Sequence, residues 1–481
     1  MTLVRAMSPT LQLALRADRR AVARALRRGH PWVWADSLVE VPDMRPGTVV
    51  DLVAPSGKFV ARGLADPGSP IAVRVFTLDP GQAIDATLLA SRVAGAAARR
   101  AGFIDPRLTD AYRLVHGEAD GLPGIVVDRY ADAAVVRFDG AAAGTLAEPI
   151  RTAILDLPGI ARTFERRSRK AGRRCDRSAD CDAVRPSAEG PSLPLRVREN
   201  GLVFEVDPVR GQKTGLYLDQ RDSRALVRAH AGGRRLLNLF CYTGGFAVAA
   251  AAGGCLESLS VDIAAPVLAA ARRNLQLNGL DERSHRLVAA DVFALLRDGR
   301  PDLSTFDLVV VDPPSLAPNR SSLPRALVAY RRLNAAVLAR ARPGTLMLTC
   351  SCSSHVDRPT FLDIVRRAAD EARVDILVRE VRRAGPDHPV LGCFPEGDYL
   401  KAVLLEVIGR TAFGAGRGAP SGRRRRKPSS SRDRRRGAPA RHGPGSAARP
   451  GQPTGRGTRR SGPGQRRSRR RRPGSRRRRR A

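Results

Sequence analysis

Four side chains at the ends of apolar runs carry most of the chemistry legible in this sequence: Asp262, Asp291, Asp312 and Cys352. Asp312 opens Asp312–Pro313–Pro314–Ser315, directly after the run Phe306–Val311 (FDLVVV). Such a turn sets one carboxylate beside two rigid residues that donate no hydrogen bond. Methylation of an exocyclic base amine commonly uses an aromatic residue after the two prolines to stack on the base, and Ser315 cannot stack. Cys352 lies in Thr349–Cys350–Ser351–Cys352–Ser353, after the run Thr345–Thr349. Carbon 5 of a pyrimidine is a poor nucleophile until a thiolate adds to carbon 6 and creates an enamine, so a thiol here suits covalent catalysis. Asp312 is then the acid that protonates or hydrogen-bonds the base and holds the adduct. Cys350 shares a face with Cys352 if the segment is extended. Either cysteine also reads as a small buried hydrophobe.

The elements that must position these groups alternate between strands and helices. Leu236–Phe240 has the length of a buried central strand, breaks at Cys241–Tyr242–Thr243–Gly244–Gly245, and is followed by an Ala-rich helix over Phe246–Ala252. A strand, a glycine turn and a helix start together expose bare backbone to a ligand. Alone, the Gly-Gly turn reads equally as α/β packing. Strand Leu256–Val261 ends on Asp262, roughly 20 residues past the glycines, the spacing at which such folds grip a ribose. Strand Arg286–Ala289 delivers Asp291. Asp262 and Asp291 suit a ribose and an adenine amine, and the absence of a G-x-x-x-x-G-K-S/T stretch argues against a nucleoside triphosphate. Helices are predicted over Ala264–Leu277, Pro324–Arg340 and Arg358–Ala372, with closing apolar runs at Val374–Val378 and Tyr399–Val407. This pattern gives an α/β fold with a mostly parallel sheet and a ligand crevice along the carboxyl ends of its strands. Before it come a strand, Leu202–Val206, a polar cluster, Gly211–Arg221, and a helix, Ser223–Ala231. Lys213, Asp219, Gln220 and Arg221 in that cluster form either a ligand wall or a solvated turn.

The N-terminal part is organised differently. Short alternating strands at Thr48–Val53, Phe59–Leu64 and Ile71–Val75 suggest a small β-barrel. Trp32 and Trp34 fall on one side of an extended segment and are read as core of that barrel, with stacking on a ligand as the alternative. A helix capped by Asp85 over Ala86–Arg100 and a hairpin, Ile125–Tyr130 with Ala133–Phe138, make an α+β connecting region. Residues 166–194, rich in Arg, Ser and Pro, read as a mobile loop. The expected division is therefore a barrel at 10–82, a connecting domain at 83–200, the α/β domain at 201–408 and a disordered tail at 409–481.

Charge points to the partner. The net charge is +37, and roughly 27 Lys and Arg against one Asp fall in Arg410–Ala481, which leaves about +11 on the body. A basic body with a hyperbasic tail implies a polyanion, with nucleic acid foremost, although a general inflation of arginine would also raise the body's charge. The seven cysteines, without a signal peptide, read as reduced thiols in a cytoplasmic protein. Their spacing matches no four-ligand zinc site, so no metal is expected. The most apolar window, Leu236–Leu256, carries Asn238, Thr243 and glycines and is no membrane span.

Longer stretches make the pattern specific. GHPWVW at Gly29–Trp34, HGEADGLPGIVVDRY at His116–Tyr130, GQKTGLYLDQRDSR at Gly211–Arg224, NLFCYTGGF at Asn238–Phe246, DPPS at Asp312–Ser315, TCSCS at Thr349–Ser353 and DHPVLGCFPEGDYLK at Asp387–Lys401 resemble the bacterial large-subunit ribosomal RNA cytosine-C5 methyltransferases with an N-terminal PUA domain. The resemblance covers roughly Leu11–Val407, without the 166–194 loop and the tail. It implies a class I (Rossmann-like) methyltransferase domain, S-adenosylmethionine as cofactor and a PUA-like RNA-binding barrel. It places the cofactor at Phe240, Tyr242, Thr243, Gly244, Asp262, Asp291 and Asp312, the nucleophile at Cys352, and the RNA side of the site at the Lys213–Arg221 loop. Cys350 takes a place that relatives usually fill with an aromatic or apolar residue, so the resemblance gives it no role, and Ser315 stands where they often hold Lys. The implied partner is large-subunit ribosomal RNA. Uridine C5, a guanine amine and a non-catalytic assembly role stay open, as does the oligomeric state, a homodimer included.

Overall fold

The computed structural model describes residues 10–167, 185–186 and 193–410. Central to it is a seven-stranded sheet in the order His285–Ala289, Glu257–Asp262, Arg235–Leu239, Leu308–Val311, Leu346–Ser351, Lys401–Arg410 and Val374–Arg382. The first five strands run parallel, and Lys401–Arg410 runs antiparallel to both its neighbours, Leu346–Ser351 and Val374–Arg382. Helices Gly245–Ala252, Ala265–Leu277, Leu323–Leu338 and Arg358–Ala372 cover its two faces. Alternation along each strand divides the core. Leu237, Leu239, Val309, Val311 and Met347 pack with Tyr330 and Phe361, whereas Leu236, Leu308, Val310, Leu348 and Cys350 pack with Phe204 and Phe246. Burial on both faces is why FDLVVV reads as an unbroken apolar run. Each fully buried aliphatic side chain contributes about 1.5–3 kcal/mol here.

The connecting region forms a second sheet, ordered Arg185–Pro186, Arg162–Arg167, Ala133–Phe138, Ile125–Tyr130 and Ala111–His116. Helix Ala86–Ala101 packs on it, its first turn capped by Asp85, which accepts from the Leu88 amide at 2.8 Å. Arg166 and Arg167, assigned to a mobile loop by composition, belong to the Arg162–Arg167 strand, and Arg166 is buried. Most of that loop, with Cys175 and Cys181, lies outside the described residues, as does the tail from residue 411 onward. Gly409 and Arg410, placed in the tail by composition, close the Lys401–Arg410 strand. The expected division after residue 200 falls in the tight turn of a hairpin, Leu195–Glu199 with Leu202–Val206, whose apolar side joins the core of the large sheet.

The N-terminal sheet runs Leu11–Ala14, Val49–Val53, Phe59–Ala65, Ile71–Thr77, Trp32–Trp34. The tryptophans do share a side, with rings 5.9 Å apart, but they are not its core. Strand alternation turns Val33 inward instead, and Trp34 stays 43% exposed. Trp32 packs edge-on against Phe394 at 4.6 Å, and its indole N–H donates to Glu118 Oε1 at 2.8 Å. It thus ties the barrel to both other regions. Among the described residues no helix is long and apolar enough to cross a membrane.

Candidate active site at the carboxyl ends of the strands

The glycine loop leaves its strand through backbone conformations that side chains rarely adopt: Phe240 at φ +62°, Tyr242 at +48° and Gly244 at +79°. Each of the two non-glycine residues costs about 1–3 kcal/mol, which the surroundings must repay. Asp262 does so in part, Oδ2 accepting from the Tyr242 amide at 2.9 Å and Oδ1 from the Ala264 amide at 3.1 Å. A Cβ at Gly244 would meet Ala271 Cβ at 3.0 Å, in a left-handed conformation as well. Asn274 fixes the Thr243 carbonyl at 2.9 Å. Asp291 is exposed and caps helix Val292–Arg297, accepting from the Ala294 amide at 3.0 Å. Phe240 meets Phe293 edge-on at 5.7 Å.

Asp312 and Cys352 come from neighbouring strands, because Val311 pairs with Thr349. Their loops are stitched together by hydroxyls. Ser353 Oγ lies 2.9 Å from Tyr330 Oη and 3.1 Å from Ser315 Oγ, and accepts from the Ala317 amide at 3.3 Å. Burial and the nearby Asp219 charge push the Asp312 carboxyl up to about 7, against a hydrogen bond from Gln220 and the pull of Lys213. Burial and the Asp312 charge push the Cys352 thiol up to about 11. Cys350 behaves differently. The strand extends to Ser351, further than the sequence suggests, so Cys350 is fully buried and its thiol is driven well above its usual range, mainly by desolvation.

The polar cluster is no solvated turn. Asp219, Gln220 and Arg221 are buried. Arg221 does not reach the cleft, since both its terminal nitrogens bind Asp387, at 2.8 and 2.9 Å. Of the four residues singled out there, Lys213 alone keeps its side chain partly exposed, at 31%, with Nζ 2.6 Å from Asp219 Oδ2. Asp219 is held well below the carboxylate range: burial opposes ionisation, and Lys213, His388 and the Tyr399 hydroxyl overcome it. Among the described residues, Asp219 Oδ1 and Gln220 Oε1 are buried without a hydrogen-bond partner. Sequence reasoning gave no role to Ser353, Tyr330 or Lys401. Lys401 is fully buried, donates to the carbonyls of Ser353 at 2.6 Å and Tyr399 at 2.7 Å, and is lowered to about 8 by burial. No local pattern marks these residues, because each acts on a loop distant in sequence.

A profile described as S-adenosylmethionine-dependent methyltransferase matches residues 173–404, and one described as PUA-like domain matches residues 19–78. The ribosomal RNA large subunit methyltransferase I of Shewanella denitrificans is 39% identical over 390 residues, covering 80% of this chain and 97% of its own. The chain belongs to this family. Its counterpart from Klebsiella pneumoniae is 37% identical over 386 residues, covering 80% of this chain and 96% of its own. A solved chain from Streptococcus mutans, described as a candidate SAM-dependent methyltransferase, shares the fold with a TM-score of 0.71 at 22% identity, over 82% of this chain and 100% of that one. This family member is thus an S-adenosylmethionine-dependent methyltransferase with an N-terminal PUA-like domain. The cleft fits that cofactor. The glycine loop offers close backbone approach, Asp262 and Asp291 supply carboxylates at successive strand ends, and Phe240 and Phe293 supply an apolar flank.

Proposed function

We propose that this enzyme methylates C5 of a cytosine in large-subunit ribosomal RNA through a covalent adduct on Cys352. The observation that carries the reading is the placement of one thiol and one carboxyl at adjacent strand ends: Val311, just before Asp312, pairs with Thr349, three residues before Cys352. The relatives' names supply the RNA, and the basic body supplies the electrostatic means to hold it. Ser315 weighs against amine methylation, since nothing at that position stacks on a base.

Cys352 Sγ, as thiolate, bonds to C6 of a base turned out of its stack, and the C5–C6 π pair shifts into the ring. Neutral Asp312 gives N3 a proton and so holds the adduct. When bound, the sulfonium cofactor would supply an electrophilic methyl group to C5, its S–CH3 bond breaking to leave a neutral thioether. Loss of the C5 proton to water then expels Cys352 as thiolate, and N3 returns its proton to Asp312. A carboxyl near 7 is suited to give and regain a proton at neutral pH.

Trapping with 5-fluorocytidine RNA tests the reading, because fluorine at C5 blocks the final proton loss. A covalent complex is expected with the native protein and with Cys350→Ala, and none with Cys352→Ala. Persistence of the complex in Cys352→Ala with its loss in Cys350→Ala would transfer the role to the other thiol. Mapping methylated bases in ribosomal RNA from cells lacking the protein separates cytosine from uridine.

A further inference from the structure

Lys213 has no part in the steps above, yet its ammonium is held more firmly than a rim lysine requires. Its backbone sits at φ +51°, a conformation that non-glycine residues rarely adopt. The loop is clamped there from three directions. Arg166 Nη1 donates to the carbonyl of Gly211 at 2.8 Å and to that of Lys213. Thr214 Oγ1 donates to Asp128 Oδ2 at 2.5 Å. The Gln212 amide donates to Tyr242 Oη at 2.9 Å, which ties this loop to the glycine loop. Nζ of Lys213 therefore stands 4.3 Å from the centre of the Tyr217 ring and 5.9 Å from that of Tyr399, within ion-pair distance of Asp219. Tyr399 Oη in turn donates to Asp219 Oδ2 at 2.8 Å. Two aromatic faces and one carboxylate make a cage for a cation.

The cage is tied to the Cys352 loop by the buried Lys401, whose Nζ donates to the carbonyl of Ser353 at 2.6 Å and to that of the cage residue Tyr399 at 2.7 Å. Of the charges that favour an ionised Cys352, and of those that favour an ionised Asp312, Lys213 is the largest in both cases. Asp219 pushes both the other way, so the lysine balances a negative charge that would otherwise oppose the nucleophile.

Resting on the reading of Cys352 as nucleophile, we propose that Lys213 is a positioning residue: the caged cation beside which Cys352 and Asp312 divide their proton, kept in place by Tyr217, Asp219 and Tyr399. The competing role for a partly exposed lysine beside a nucleic-acid site is a phosphate contact.

The test measures alkylation of Cys352 by iodoacetamide against pH, by peptide mass spectrometry on the full-length protein without RNA, alongside kcat and KM for RNA. Lys213→Gln is expected to move the alkylation profile up by about one pH unit, or about tenfold slower alkylation at pH 8. It should lower kcat with little change in KM, and Lys213→Arg should restore most of the loss. Tyr399→Phe leaves the lysine in place and strips Asp219 of one donor, so it should shift the profile the same way by a smaller amount. This second variant decides the matter if Lys213→Gln does not fold. An unchanged profile in the folded variants overturns the proposal, and a raised RNA KM beside that unchanged profile makes Lys213 a phosphate contact. The profile is read without RNA, so it stays separate from the nucleophile question: absence of a trapped fluorocytidine adduct in the native protein overturns Cys352, whereas a trapped adduct with no Lys213 shift overturns only the lysine.

Discussion

The glycine loop keeps its shape with backbone amides, whereas the thiol–carboxyl half of the cleft is held by side chains drawn from stretches far apart in the chain. In the first half Asp262 reaches only to Tyr242 and Ala264, within about one βαβ unit. In the second, Asp312 and Cys352 depend on Lys213, Asp219, Tyr330, Ser353 and Lys401. Backbone geometry holds a ligand at any ordinary pH. Buried, coupled charges respond to protons and to the loss of any single member.

The widest separation of the halves is expected from Cys352→Ala. Methyl transfer should fall by several powers of ten while cofactor affinity in calorimetry stays unchanged. Cys350→Ala, two residues away, should keep transfer and cost only about 1–2 kcal/mol in chemical denaturation, the price of a small cavity. A comparable loss of transfer in both would erase the distinction between the thiols. Next in size, Asp262→Ala should weaken cofactor binding by about 10- to 100-fold, since it releases two charge-assisted hydrogen bonds that shape the glycine loop. The chemistry after binding should change far less.

pH sharpens the contrast. In the free enzyme the Cys352 thiolate gains about tenfold per pH unit below about 11, and neutral Asp312 is lost at the same rate above about 7. Their product, read as kcat/KM, should climb about tenfold per unit up to pH 7 and then level. Cofactor affinity should stay flat over that range. A profile still climbing steeply to pH 9 would remove Asp312 as the acid.

The smallest effects are on stability. The folded Asp312 carboxyl lies above its ordinary value, so folding favours its neutral form, and that advantage is lost as pH rises through about 7. Asp312→Asn should therefore raise Tm relative to the native protein at pH 8 and show a smaller gain at pH 5. Tyr330→Phe, which removes the hydroxyl 2.9 Å from Ser353 Oγ, should cost about 1 kcal/mol of stability and reduce kcat more than cofactor affinity.

How much could be read in advance follows the same line. The strand, glycine turn and helix at Leu236–Ala252 were legible because period and turn chemistry are local, and helix Arg358–Ala372 was read to the residue. The tryptophans misled because aromatic residues in a small barrel read as core, while alternation gave the inward place to Val33. The Gly211–Arg221 cluster left two readings open, a ligand wall or a solvated turn. Burial removes the second, because Asp219, Gln220 and Arg221 are buried with partners such as Asp387, Lys213 and Tyr399 that lie from a few residues to well over a hundred residues away.

By itself, the order of residues determined the alternation of strands and helices, the glycine turn, the acids at the strand ends and the thiol after the fifth parallel strand, because each is a matter of neighbours within a few positions. Tertiary structure alone decided which thiol is sealed in the interior, how strongly each acid holds its proton, and that Lys213 is held against Asp219 and Tyr217. Burial and charge are properties of what surrounds a group in space, and only the folded chain brings those surroundings together.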